Sequence, residues 1–234
     1  MKNDNWFSAH KDGLRQIAER LVERRGFGII GGELYQNVMD TTAKNCQIHL
    51  EMIEGRPAAH LHVQDDGPGY KDLTHAWTVF APSEKKDDPS KAGRFNVGCK
   101  MALAFCRNAT IYTTSGTVEF GGEGRKEFPR RKRIIGTEVF AVIDCTRERY
   151  DQFIEYMNKL IVRPGLKLSV NGVDIPNKTP IHRFEIALQT EVGEQLKKSI
   201  RKTFVEIYEV ADGETAMLHE LGIPIVETGD KWSY

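Results

Sequence analysis

Leu14, Ile17, Ala18, Leu21 and Val22 recur every three to four positions among charged neighbours, and this spacing predicts an amphipathic helix over residues 11–25, ended by Gly26 and Gly28. Leu34, Val38 and Met39 continue the helical period and predict a second helix over about 32–44. The pattern then changes. Residues 46–53 and 59–65 alternate as strands do, and Glu54-Gly55-Arg56-Pro57 between them makes a hairpin turn. Asp65-Asp66-Gly67-Pro68-Gly69 ends the second strand, and a short helix is expected over 70–79. Residues 81–93 are polar, charged and bracketed by prolines, which predicts a loop. A small apolar helix follows over 97–105, then strands near 108–114, 117–121 and 136–143, then a helix over 147–160. Asn171-Gly172 sits at the turn of a hairpin over 168–175.

Beyond about residue 184 the texture shifts. Strands are expected over 184–191 and 203–210 on either side of a basic stretch, and 215–228 is mixed. These elements describe an α+β chain with one main unit over 1–183 and a second segment over 184–234. The chain stops at Trp232-Ser233-Tyr234 with no obvious terminal element, as a piece of a longer protein would.

Composition narrows the function little. Lys plus Arg and Asp plus Glu number 33 each, so no whole-chain charge favours nucleic acid or a membrane surface. The run Arg130-Arg131-Lys132-Arg133 is the densest basic stretch; it could meet DNA phosphates or blunt an exposed edge strand. Cys46, Cys99, Cys106 and Cys145 form no C-x-x-C pair, which disfavours a zinc site and fits buried thiols in a reducing, cytoplasmic setting. No apolar run approaches the ~20 residues of a membrane span, and no apolar leader follows Met1.

The candidate chemistry is local. Glu33, Asn37 and Asp40 stand at i, i+4 and i+7, on one helical face, which suits a solvated surface or a polar wall equally. Asp65 ends a strand before two glycines; a carboxylate there needs a donor if it is buried. Gly93-Arg94-Phe95-Asn96-Val97-Gly98 runs into a helix that carries Lys100. A glycine-rich loop before a helix N-terminus presents N–H groups to an anion. No Walker loop is present, since Gly98 is followed by Cys99 and then Lys100. Gly136-Thr137 opens a later strand.

In this order and spacing the four elements resemble the motifs of the GHKL superfamily (gyrase, heat-shock chaperone, histidine kinase, MutL). E-x-x-x-N-x-x-D is matched by Glu33, Asn37 and Asp40. D-x-G-x-G is matched by Asp65, Gly67 and Gly69, and G-x-x-G-x-G by Gly93 and Gly98, with Asn96 where the middle glycine is expected. The texture of 93–100 is also similar to microrchidia-type and stand-alone bacterial or phage members. The resemblance implies a two-layer α/β sandwich of the Bergerat type, a mixed sheet with helices on one face, over about residues 10–180. It implies ATP and Mg²⁺ as ligands: Asn37 to the metal, Glu33 as the base for the attacking water, and Asp65 to the adenine amine through a water held by Thr137. Gly67 and Gly69 would lie against the base, residues 81–93 would form a lid, and Gly93, Arg94, Phe95, Asn96, Val97 and Gly98 would wrap the phosphates. Lys100 would reach a phosphate or lie on the surface.

Two classes of function follow. One is an ATPase producing ADP and phosphate, driving lid closure or nucleotide-dependent homodimerisation of a clamp-type or DNA-associated machine with a DNA or protein client. The other is a nucleotide-binding switch without catalysis. A histidine kinase is disfavoured by Glu33, and only His10 precedes it.

Overall fold

In the computed structural model, residues 10–79, 98–192 and 197–234 are described. Alternation builds the sheet. In β1 (Asn45–Met52) Cys46, Ile48 and Leu50 point into the core, in β2 (Ala58–Asp65) Ala59, Leu61 and Val63 do so, and in β6 (Glu138–Asp144) Val139, Ala141 and Ile143. Their neighbours face the other way, where His62 stacks on Phe140 at 4.2 Å between ring centres. Together with β3 (Cys106–Thr113), β4 (Gly116–Gly121), β5 (Gly124–Phe128), β7 (Lys167–Val170) and β8 (Val173–Ile175) these strands form one mixed sheet in the order β5-β4-β3-β6-β2-β1-β7-β8. All neighbours are antiparallel except β1 and β7.

The buried face carries α1 (Lys11–Arg25), α2 (Ile29–Met39), α3 (Gly98–Ala104) and α4 (Arg147–Asn158). Between them lie Tyr35, Phe27, Phe105, Phe153 and Met157, all nearly inaccessible. The architecture is the expected α+β two-layer arrangement, a mixed sheet with helices on one face. α2 and α4 approach closely because Gly28 and Gly31 carry no side chain. A Cβ would stand 2.0 Å from Tyr156 Cβ at Gly28 and 2.5 Å from the Phe153 ring at Gly31.

Several elements differ from the sequence expectation. α2 starts at Ile29, since glycines that look like helix breakers are contact points with α4. It ends at Met39, where Thr41 Oγ1 donates to Val38 O (2.7 Å) and accepts from Ala43 N (3.1 Å), a local turn that competes with further helix. The helix expected over 70–79 is one 3-10 turn, Leu73–Ala76, capped by Asp72. Ile17 is exposed, because the buried stripe of α1 runs through Ala18 and Val22. The basic run 130–133 is a loop between β5 and β6, not an edge strand. The loop expected over 81–93 lies outside the described residues.

The C-terminal residues form a long ribbon, β9 (His182–Val192) with β10 (Lys197–Glu209), and a hairpin, β11 (Met217–Glu220) with β12 (Ile223–Glu227). β13 (Trp232–Ser233) pairs with the end of β10. The hairpin packs against the main sheet's helices: Ile161 N donates to Gly222 O (3.0 Å), Arg25 to Pro224 O (2.9 Å), and His219 Nε2 bonds Lys159 O (2.9 Å). Burial holds the His219 imidazole below its ordinary pKa, which keeps it neutral against this carbonyl. The four cysteines are buried and unpaired. Among the described residues no helix is long and apolar enough to cross a membrane.

Candidate functional site

Three chain segments meet at one end of the sheet. Asp65 closes β2, and its Oδ1 accepts the Gly67 N–H at 2.7 Å. The loop after it is fixed to the loop before β6: Asp65 N donates to Thr137 O (2.9 Å) and Gly136 N to Gly67 O (2.7 Å). Gly136 adopts φ +75°, and a Cβ there would lie 1.8 Å from Asp65 O. Only glycine lets the two backbones come this near. Gly69 (φ +72°) is equally confined, since a Cβ would meet Thr114 Oγ1 at 2.4 Å. Tyr70 N then donates to Thr113 Oγ1 (2.7 Å) and Thr114 Oγ1 to Pro68 O (2.8 Å), so β3 holds the same loop from its other side. Asp66 ties it to β1: its carboxylate accepts Lys44 N (2.8 Å), Asn45 N (2.9 Å) and Asn45 Nδ2 (2.6 Å).

α2 supplies the facing wall. Leu34, Asn37, Val38 and Thr41 from the helix and its end, with Val63, Asp65, Gly69, Tyr70, Thr137 and Val139, line a cleft of about 460 Å³. Its apolar walls, with Asp65, Asn37 and Thr137 as polar groups, suit a flat ring whose edge carries a hydrogen-bond donor. Burial pushes the Asp65 carboxyl above its ordinary range, partly offset by the Gly67 and Thr137 backbone. A desolvated acceptor of this kind gains most from a donor on a ligand.

Glu33 stands one helical turn before Asn37, whose Nδ2 donates to Glu33 O at 3.3 Å. Its carboxylate lies against the start of α3, where a Cβ on Gly98 would be 1.7 Å from Oε2. It does not line the Asp65 cleft. It lines an adjoining cavity with Arg25, Gln36, Tyr156 and Glu220, between α2, α4 and the C-terminal hairpin. Burial raises the Glu33 carboxyl, and the Arg25 guanidinium pulls it back. With Nδ2 of Asn37 engaged, its Oδ1 is the atom left for a hard cation. Among the described residues no cluster of three or more His, Cys, Asp or Glu could hold a metal. A cation here would therefore take most of its ligands from phosphate and water, as Mg²⁺ does.

The cleft thus gathers Asn37, Asp65, Gly69 and Thr137, with Gly67 in its supporting loop. Asp40 is buried at the C-terminal end of α2, its N–H bonded to Gln36 O (3.1 Å), and is not part of the cleft wall. Lys100 is not a surface residue: it is 4% exposed, and its Nζ donates to His75 O at 2.6 Å. Gly93, Arg94, Phe95, Asn96 and Val97 lie outside the described residues. Tyr70, Thr113, Thr114 and Arg25 were not legible as site residues. Tyr70 alone carries a signal, its place directly after the glycine pair.

No family model matches this chain, and no curated protein sequence does. Among solved structures, it is similar to the ATPase region of Saccharomyces cerevisiae topoisomerase II. There the TM-score is 0.48 at 15% identity, covering 70% of this chain and 49% of that one. The same region bound to ICRF-187 (dexrazoxane) gives a TM-score of 0.48 at 15% identity, covering 64% and 49%. The chain spans about half the length of these structures. The functional reading below rests on the residues of the cleft.

Proposed function

We propose that this chain binds ATP with Mg²⁺ and hydrolyses it to ADP and phosphate. The observation that carries the reading is the convergence of Asn37, Asp65, Gly69 and Thr137, from three distant segments, on one cleft. Asp65 accepts the exocyclic amine of adenine, aided by a water on Thr137. Leu34, Val38, Val63 and Val139 sandwich the ring. Asn37 offers an oxygen to the cation, which when bound neutralises phosphate charge. Glu33, beside Asn37 and raised by burial, orients the attacking water and takes its proton. Gly93 to Gly98 and Lys100 complete the phosphate side. Residues 1–183 act as the nucleotide unit, and 184–234 as the segment through which closure reaches a homodimer or a DNA or protein client.

Calorimetric titration with a non-hydrolysable ATP analogue and Mg²⁺ tests the cleft; no heat at millimolar nucleotide defeats it. Glu33→Gln should keep nucleotide affinity within a few-fold yet lower kcat by about 100-fold or more. A variant that hydrolyses as fast as wild type removes Glu33 from its role. A wild type that binds without turnover favours the non-catalytic switch.

A further inference from the structure

β9 is the outer strand of the β13-β10-β9 sheet, so along its far side the backbone groups of residues 182–192 meet no strand among the described residues. It is paired with β10 from His182↔Ile207 to Val192↔Lys197, while β13 meets only Tyr208 and Glu209. A two-stranded ribbon is marginally stable by itself. This one also exposes apolar side chains. Phe184, Ile186 and Leu188 share one face and are 37%, 39% and 45% exposed; Ile200 and Phe204 lie on the other at 70% and 56%. An open edge with such side chains is a template for another strand.

The sequence of the edge says which strand. The register that uses its whole length is antiparallel self-pairing about Ala187, the middle residue of β9. In that register Ile186 opposes Leu188, Phe184 opposes Thr190, Glu185 opposes Gln189 and Arg183 opposes Glu191. No like charges meet, and the Arg–Glu pair occurs twice, once on each side of the axis. Directly opposed residues share a face, so Phe184, Ile186 and Leu188 of the two copies form one continuous apolar stripe. Where a residue meets its own copy stands a small one, Ala187. A slip by one position either way sets Arg183 against Thr190 or Val192 instead.

We infer that β9 pairs antiparallel with β9 of a second copy of this chain about Ala187, joining two ribbons into one continuous sheet, in the absence of nucleotide. The pairing is independent of the ATP reading. Sedimentation equilibrium on the full nucleotide-free chain tests it, with thermal melts to verify folding of each variant. The wild type is a dimer. Arg183→Glu weakens its Kd by about tenfold or more, and Arg183→Glu with Glu191→Arg restores it. Within the ribbon Arg183 also contacts Glu206 (3.5 Å) and lies over Phe204 (4.1 Å), so its loss has a second effect. Ala187→Arg leaves those contacts in place, sets two cations at the axis, and weakens the dimer as well. A monomeric wild type overturns the inference, as does a dimer indifferent to both single variants. A double variant as weak as Arg183→Glu overturns it too, and so does a dimer that forms only with ATP and Mg²⁺.

Discussion

A methyl group at Gly136 would meet the carbonyl of Asp65 at 1.8 Å, so Gly136→Ala must separate the two loops that hold the cleft shut at its base. The positive φ adds about 1 kcal/mol of strain to the clash. The expected loss is about 2–3 kcal/mol in urea unfolding, with nucleotide affinity falling alongside. Asp65→Asn is nearly isosteric and should keep the fold while weakening ATP by about tenfold or more, because the amide cannot offer the same charged acceptor. A titration showing unchanged affinity removes Asp65 from the base-binding role. At this scale the sequence was informative where a residue's partner is near in the chain, as with Asp65 and Gly67. It was silent on Tyr70, Thr114 and Arg25, whose places depend on strands and hairpins contributed from far away.

Among the elements, α1 is clasped to the sheet by Asp144, which accepts from Arg107 (2.7 Å) and Arg15 (2.8 Å). Partial burial pushes its carboxyl up, but the two arginines outweigh this and hold it below the ordinary carboxylate range. A carboxyl whose folded value is depressed adds stability that is present above its unfolded value and is lost as pH falls through the folded one. Unfolding free energy of wild type should therefore decline below about pH 4, and Asp144→Asn should flatten that decline. The C-terminal hairpin offers a second test. A Cβ at Gly222 (φ +83°) would lie 2.2 Å from Ile161 O, so Gly222→Ala should loosen β11–β12 and raise amide exchange of the Ile161 N–H. Equal protection in wild type and variant would contradict the docking. α1, β1–β2 and β7–β8 were readable because each buries one face and ends in clear turn chemistry. β5 was not, since Gly124-Arg125-Lys126-Glu127-Phe128 is an exposed edge with no apolar alternation. β11–β12 escaped for a related reason: its apolar residues face a distant helix, and the mixed pattern carries no period.

For the whole molecule, zero formal net charge gives no long-range steering, so recognition rests on local groups. The cleft was legible only as a set of motifs in order, each with an ordinary structural explanation when taken alone. The sheet order shows why such scattered residues converge: β2 and β6 are neighbours, which brings Asp65 beside Thr137 although a glycine-rich loop, a helix and three strands separate them in the chain.

That adjacency has a kinetic side. The β2–β6 ladder joins Gln64 to Glu138, a long loop closure that cannot precede the collapse of the hairpins around it. A ligand held between Asp65 and Thr137 finds its site only after this ladder has zipped. Nucleotide should then leave the refolding rate of the chain unchanged and slow its unfolding, since it binds the finished sheet and not the transition state that precedes it.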